Sequence, residues 1–241
     1  MINLAISLAV YLAVVGLLQV TVSLDTWINA LIGLAVFALV YFLLSRRVLK
    51  KLTAVMEEVQ RDMLAGRAEK AIKILEASLP LGKWQFLVSS QLHSQIGSLY
   101  YLKRDFGKAF DYLQKGFSRH WPSMGMLAIC YMKRNKLDKM VQTFEKAVSL
   151  TRNEAMLWNL YAYCLEKVGN HAQAIEVMKK GIKKAGNDDN LQQNLDALLE
   201  GRKMKMQVYG DMWLQFHLEK TGTIVKQQTK AMQGRRKIVR R

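Results

Sequence analysis

Residues 155–188 read AMLWNLYAYCLEKVGNHAQAIEVMKKGIKKAGND, and this stretch decides the fold. Its first half places Trp158, Ala162 and Leu165 at helical spacing. Gly169-Asn170 then supplies a turn, since both residue types tolerate a left-handed backbone that ends a helix. The second half resumes the helical period with Ala174, Met178 and Gly181. Small residues suit points where two helices cross closely, and large ones fill the holes beside them.

The same pattern recurs upstream. In the frames 90–123, 121–154 and 155–188, position 8 holds Gly97, Ala128 and Ala162, and three residues later stand Tyr100, Tyr131 and Leu165. The second helix of each frame supplies Ala109, Met140 and Ala174, then Leu113, Phe144 and Met178, then Gly116, Ala147 and Gly181. The frames start 31 and 34 residues apart, so the first connection is shortened.

These residues resemble the tetratricopeptide repeat family, in which helix-turn-helix units of about 34 residues stack into a right-handed superhelix. The third frame matches best, with Trp158, Ala162, Gly169-Asn170 and Ala174 followed by Ile175-Glu176. Met140 stands at a usual alanine, and Arg152 and Gly186 replace a proline common near the repeat end. The resemblance covers about 52–220 and is specific for 90–188. It implies a concave face lined by first helices that binds protein partners. Ser94, Ser98 and Tyr101, Gly125, Ile129, Met132 and Lys133, and Asn159, Tyr163, Glu166 and Lys167 are the residues placed on that face by resemblance. Their mixture of aromatic, thioether and polar groups suits an extended or helical peptide with apolar anchors.

Outside the frames, Leu52–Gly66 and Arg67–Leu79 read as a further helix pair, with Ala71 and Leu75 in the Ala109 and Leu113 roles. Asn190–Leu199 reads as a helix opened by Asp188 and Asp189, carboxylates that favour a helix N-terminus. Val208, Met212 and Phe216 recur every fourth residue, so 203–220 is expected to be its partner helix and to cap the stack.

The leader has another character. Its first 45 residues contain one charged side chain, Asp25, whereas the remaining 196 carry all 36 Lys and Arg and 18 of the 19 Asp and Glu. Leu4–Leu24 and Trp27–Leu44 are each near the roughly 20 helical residues that cross about 30 Å of hydrocarbon. A transmembrane hairpin is expected, retained because no positive n-region precedes it. Arg46, Arg47, Lys50 and Lys51 follow the second span, which predicts that both termini are cytoplasmic. Ala5, Ala9, Ala13 and Gly16 form a small face expected to close the hairpin on itself.

The domain reading is therefore a hairpin at 1–45, a membrane-proximal pair at 46–89, three repeats at 90–188, capping helices at 189–220 and a basic tail at 221–241. The fold class is all-α, a two-helix transmembrane hairpin followed by a repeat solenoid. By analogy, two spans ahead of such repeats suggest a bacterial inner-membrane protein.

Chemistry-bearing motifs are scarce. The sequence contains no Gly-rich phosphate loop, His-Glu-x-x-His or Cys-x-x-Cys, and His93, His120, His171 and His217 lack ligand spacing. No enzyme activity, cofactor or metal is expected. Cys130 and Cys164 occupy the same position in successive repeats and read as buried apolar residues. Two function classes remain open. One is a membrane-anchored adaptor that binds proteins, as in assembly of a membrane complex. The other is a tether for anionic lipid, or less favourably nucleic acid, through the tail, where Arg235, Arg236, Lys237, Arg240 and Arg241 fall within the last seven residues. That tail lacks a helical stripe and is expected to be mobile.

Overall fold

One backbone signature recurs wherever a first helix hands over to a second. Gly66, Arg104, Asn135 and Gly169 all take positive φ, at 72°, 64°, 54° and 83°. Their spacing of 31 and 34 residues from Arg104 onward repeats the spacing of the frames. The turn needs a left-handed residue, which glycine and asparagine supply readily and Arg104 adopts at some strain.

The structure, a computed structural model, describes residues 1–21, 25–186 and 188–219. The architecture is all-α, with no strand among the described residues. In chain order come α1 (Ile2–Thr21), α2 (Thr26–Leu64), α3 (Ala68–Ala77), a 3-10 turn (Leu79–Lys83), α4 (Val88–Leu102), α5 (Phe106–Leu113), α6 (Trp121–Lys133) and α7 (Leu137–Leu150). Then follow α8 (Ala155–Lys167), α9 (His171–Ala185), α10 (Asp189–Leu199), a second 3-10 turn (Met206–Tyr209) and α11 (Asp211–Leu214). The chain forms two compact units, Met1–Leu127 and Ala128–Arg241. The five cations singled out in the tail lie outside the described residues.

In the first unit α1 packs along α2. Both are long and apolar enough to cross a membrane, and little of either apolar run is buried. Asn3, Ser7 and Asn29 are buried between them, and Asn29 Nδ2 donates to Gln19 Oε1 at 3.1 Å. A Cβ on Gly33 would stand 2.4 Å from Val15 Cγ2, so this glycine permits the close approach. The small face is a correction: Ala5, Ala9, Ala13 and Gly16 are exposed and point away from α2. Polar pairing and Gly33, rather than the alanine stripe, choose the packed face.

Helix α2 does not stop at the end of its apolar run. Its 39 residues extend about 58 Å at 1.5 Å per residue. The expected boundary near residue 45 thus falls inside one rigid helix, whose distal half pairs with α3 around Val59, Ala71, Ile72 and Leu75. Leu92, Ile96 and Leu99 of α4 complete that core. Within the α4–α5 pair, a Cβ on Gly97 would meet Leu113 Cγ at 2.8 Å. Asp105 caps α5, accepting from the Lys108 N–H at 3.1 Å.

The second unit is built around α8. Ala162 and Ala174 are fully buried, and Gly181 lies so close to Trp158 that an added Cβ would be 2.9 Å from the Trp158 Cβ. Phe144 stacks on Tyr161 at 4.8 Å, whose hydroxyl donates to Glu145 Oε1 at 3.1 Å. Asp188 caps α10 by accepting from the Leu191 N–H at 2.9 Å. After Gly201, however, no long helix follows among the described residues. Where a partner helix over 203–220 is expected, the described residues 203–219 form an irregular strip that carries only the second 3-10 turn and the four-residue α11. Gly210, at φ 54°, interrupts it, and Val208 and Met212 are exposed while Met204, Met206, Trp213, Phe216 and Leu218 are buried.

Candidate protein-binding face

Four of the eleven residues placed by resemblance on the concave face, Asn159, Tyr163, Glu166 and Lys167, sit on α8 at spacings of three and four that bring them to one side. The chain's own strip 204–219 lies against that side. Asn159 Nδ2 donates to the Tyr209 hydroxyl at 2.6 Å, and Tyr163 meets the Trp213 ring edge-on at 4.8 Å. Lys167 Nζ donates to the Leu218 carbonyl at 2.9 Å while standing 5.8 Å from the Tyr163 ring centroid. Glu166 Oε1 is 2.6 Å from His171 Nδ1, which orients it along the α8–α9 turn.

A buried amide chain fixes the strip's entry. The Lys205 N–H donates to Asn194 Oδ1 at 2.7 Å, and Asn194 Nδ2 donates to Asn159 Oδ1 at 2.8 Å. Both asparagines are buried. Burial in this face raises the Tyr163 phenol, with Glu219 adding to it, and burial raises that of Tyr209.

Beside the strip lies a cleft of about 810 Å³, bounded by α8, His171 and the 198–207 stretch. Four cations line it, Lys167, Arg202, Lys203 and Lys205, against Glu166 and Glu219. Both carboxylates are engaged, Glu166 by His171 and Glu219 by Gln207 and Trp213 Nε1, each at 2.8 Å. Arg202 pairs with Glu200. Lys203 and Lys205 are exposed, so the cleft has a positive edge.

The other predicted residues divide by exposure. On α6, Ile129 is fully buried, Met132 half-buried and Lys133 exposed. In the first unit Ser98 and Tyr101 on α4 are both buried, Tyr101 edge-on to Phe106 at 5.1 Å. Also named on this face, Ser94 is buried and accepts the Phe117 N–H at 2.7 Å, and Gly125 is buried. Cys130 and Cys164 are free buried thiols, and burial pushes the Cys130 thiol up to about 11 and raises Cys164 further. No group of three or more metal-ligating side chains occurs among the described residues.

Missed from sequence were the residues that cover α8, namely Met206, Tyr209, Trp213 and Leu218. Their signal was present but weak: two aromatics flank Gly210, which breaks the period that Val208, Met212 and Phe216 imitate.

A match to one family profile agrees with this geometry. The tetratricopeptide repeat profile matches residues 122–154 and 156–185. None of the curated proteins compared matches the chain. Among solved structures, "MamA RS-1 ArsTM double mutant" shares 15% identity over 68% of this chain and 92% of its own, with a TM-score of 0.48. "MamA 41-end from Desulfovibrio magneticus RS-1" shares 16% identity over 77% and 95%, with a TM-score of 0.46. The profile thus places two tetratricopeptide repeats at residues 122–154 and 156–185, where the helix pairs α6–α7 and α8–α9 and their turns lie.

Proposed function

We propose that the chain is a membrane-anchored, non-enzymatic adaptor. The hairpin α1–α2 crosses the membrane with both termini cytoplasmic, and the repeats recruit protein partners at that surface, as in assembly of a membrane complex. The observation that carries the binding role is the α8 face. It holds a peptide strip by one aromatic edge contact, one asparagine and one lysine directed at a backbone carbonyl. Hydrophobic grooves that receive spaced apolar anchors are a recurring mode of peptide recognition. A partner strip of similar chemistry would use Tyr163, Asn159 and Lys167 in place of 209–218, or dock on Met132 and Lys133 of α6. The positive edge at Lys203 and Lys205 favours an acidic partner segment.

Anchoring is supported by the low burial of α1 and of the apolar half of α2. Leu12, Leu17, Val20, Leu31 and Leu39 are between 56% and 87% exposed, whereas a helix from a soluble core hides such residues. The cations that begin at Arg46 set the cytoplasmic side.

Affinity capture of the full-length protein after mild detergent extraction tests the binding role. A specific protein should be recovered whose yield falls with M132A, K133E or Y163A and rises with W213A, which loosens the covering strip. Recovery insensitive to all four changes would refute it.

A further inference from the structure

We propose that Asn3, Arg47 and Lys51 form a binding site for the phosphate of an anionic phospholipid headgroup at the foot of the hairpin. This inference rests on the reading of α1 and α2 as spans. Three segments meet there: the first turn of α1, the stretch of α2 where its apolar run ends, and the loop after α3. The Asn3 backbone N–H donates to the Trp84 carbonyl at 3.1 Å, tying the start of α1 to that loop.

A pocket of about 210 Å³ opens between them, lined by Asn3, Leu44, Arg47, Lys51, Leu81 and Trp84. The Asn3 side chain is 1% exposed, and its Nδ2 has no hydrogen-bond partner among the described residues. A buried amide donor left without an acceptor is unfavourable, so this pocket is chemically set for an oxygen ligand. Arg47 and Lys51, one turn apart on α2, flank it, and neither has an acidic partner among the described residues. A guanidinium, an ammonium and an amide N–H around one cavity is a donor set that matches phosphate oxygens. The N-terminus of α1 adds positive potential there.

Depth distinguishes lipid from soluble phosphate. Helix α1 is 20 residues long, about 30 Å, so a span beginning at Ile2 puts Asn3 at the edge of the hydrocarbon. Leu44, two residues before the first cation of α2, Arg46, reaches the same level. The rest of the pocket wall is apolar, and beside it Trp84, Phe86 and Leu87 are 41%, 58% and 39% exposed. Aromatic rings with a nearby cation, here Lys83, belong at headgroup level. A lipid therefore places its phosphate on Asn3, Arg47 and Lys51 and its glycerol and first acyl carbons on Leu44, Leu81 and Trp84.

Full-length protein in detergent micelles is titrated with phosphatidylglycerol, and retained lipid is counted by native mass spectrometry. R47Q/K51Q and N3L should each weaken retention by about tenfold, as loss of charge-assisted or buried hydrogen bonds implies. R46Q/K50Q, which removes equal charge from the neighbouring face, should change it less than about twofold. K51Q alone, at an exposed position, keeps the test decisive should the double variant lose its fold. Equal loss in both double variants would show nonspecific attraction and overturn the site, as would displacement of the lipid by inorganic phosphate. Alkaline extraction of membranes separates the two readings. Release of the wild-type chain defeats the spanning hairpin, whereas a chain that stays in the pellet with lipid retention unchanged by R47Q/K51Q defeats the headgroup site alone.

Discussion

Asn159 on α8 donates to the hydroxyl of Tyr209, 50 residues further along, at 2.6 Å, while its carbonyl oxygen accepts from Asn194 at 2.8 Å. One amide thus holds α8, α10 and the covering strip together. Replacing Asn159 by Ala leaves a buried amide and a largely buried hydroxyl without this partner, and should cost about 2–3 kcal/mol. Y209F removes only one end of one bond and should cost about 1 kcal/mol. Chemical unfolding of the full-length protein followed by circular dichroism reads both. With either change, protease cleavage within 202–210 should accelerate, because the strip has lost an anchor.

Close helix crossing in the third repeat can be probed with one methyl group. G181A would bring a Cβ to 2.9 Å from Trp158 Cβ, a rigid part of a ring residue that has little room to move. Overpacking of this kind costs about 1–3 kcal/mol. G107A, at an exposed position in the first turn of α5 with its nearest atom 3.7 Å away, should instead gain about 0.5–1 kcal/mol from helix propensity. Thermal unfolding of the two variants should therefore move in opposite directions.

These contrasts show which features are legible in a sequence. The helix-turn-helix frames were readable because their determinants are local: a small residue at a crossing, a left-handed residue at the turn and, in the first and third frames, an Asp or Asn cap after it. The same locality misled at Val208, Met212 and Phe216, whose helical period is overridden by contacts to Asn159, Tyr163 and Lys167 some 50 residues away. The alanine stripe of α1 was visible too. Which face packs depends on Asn29 reaching Gln19 and on Gly33 admitting Val15, pairings between helices that neither helix shows alone. Similarly, the family resemblance placed Asn159 on an open face, and only the course of 204–219 shows that it is covered.

Tyr100 and Tyr112 share one acceptor, both donating to Glu76 Oε1, at 3.0 and 2.9 Å, with rings 5.6 Å apart. Burial, then the Glu76 carboxylate, pushes Tyr100 up to about 12 and raises Tyr112. A folded-state pKa above the unfolded value of 10.0 gives stability that is complete below pH 10 and is lost as pH rises toward 12. The melting temperature should fall through that window in the wild type and fall less in E76Q. Phenol absorbance should show two tyrosines titrating at lower pH in the variant; an unchanged titration would break the argument.

Asp62 sits where the long anchor helix turns into α3, its side chain 2% exposed and 2.7 Å from Arg67 and 3.2 Å from Lys70. Burial pushes its carboxyl up, but the hydrogen bonds and charges of Lys70 and Arg67 outweigh it, and the net shift is below the ordinary 3.8. A depressed folded-state pKa means the contribution is present above pH 3.8 and disappears as pH falls through the lower folded value. D62N should therefore weaken the α2–α3 junction at neutral pH and flatten its loss in acid. The exposed Glu69–Lys103 pair, 3.0 Å apart, provides the comparison, and E69Q should matter less because solvent screens it. Hydrogen exchange is the discriminating measurement. In D62N, amides of 59–75 should exchange faster while those of α8 and α9 keep their protection, since Asp62 joins α2 to α3 and contributes no bond to the α8–α9 pair. Equal loosening of both regions would mean that Asp62 supports the whole fold rather than the coupling of the anchor helix to the helices it carries.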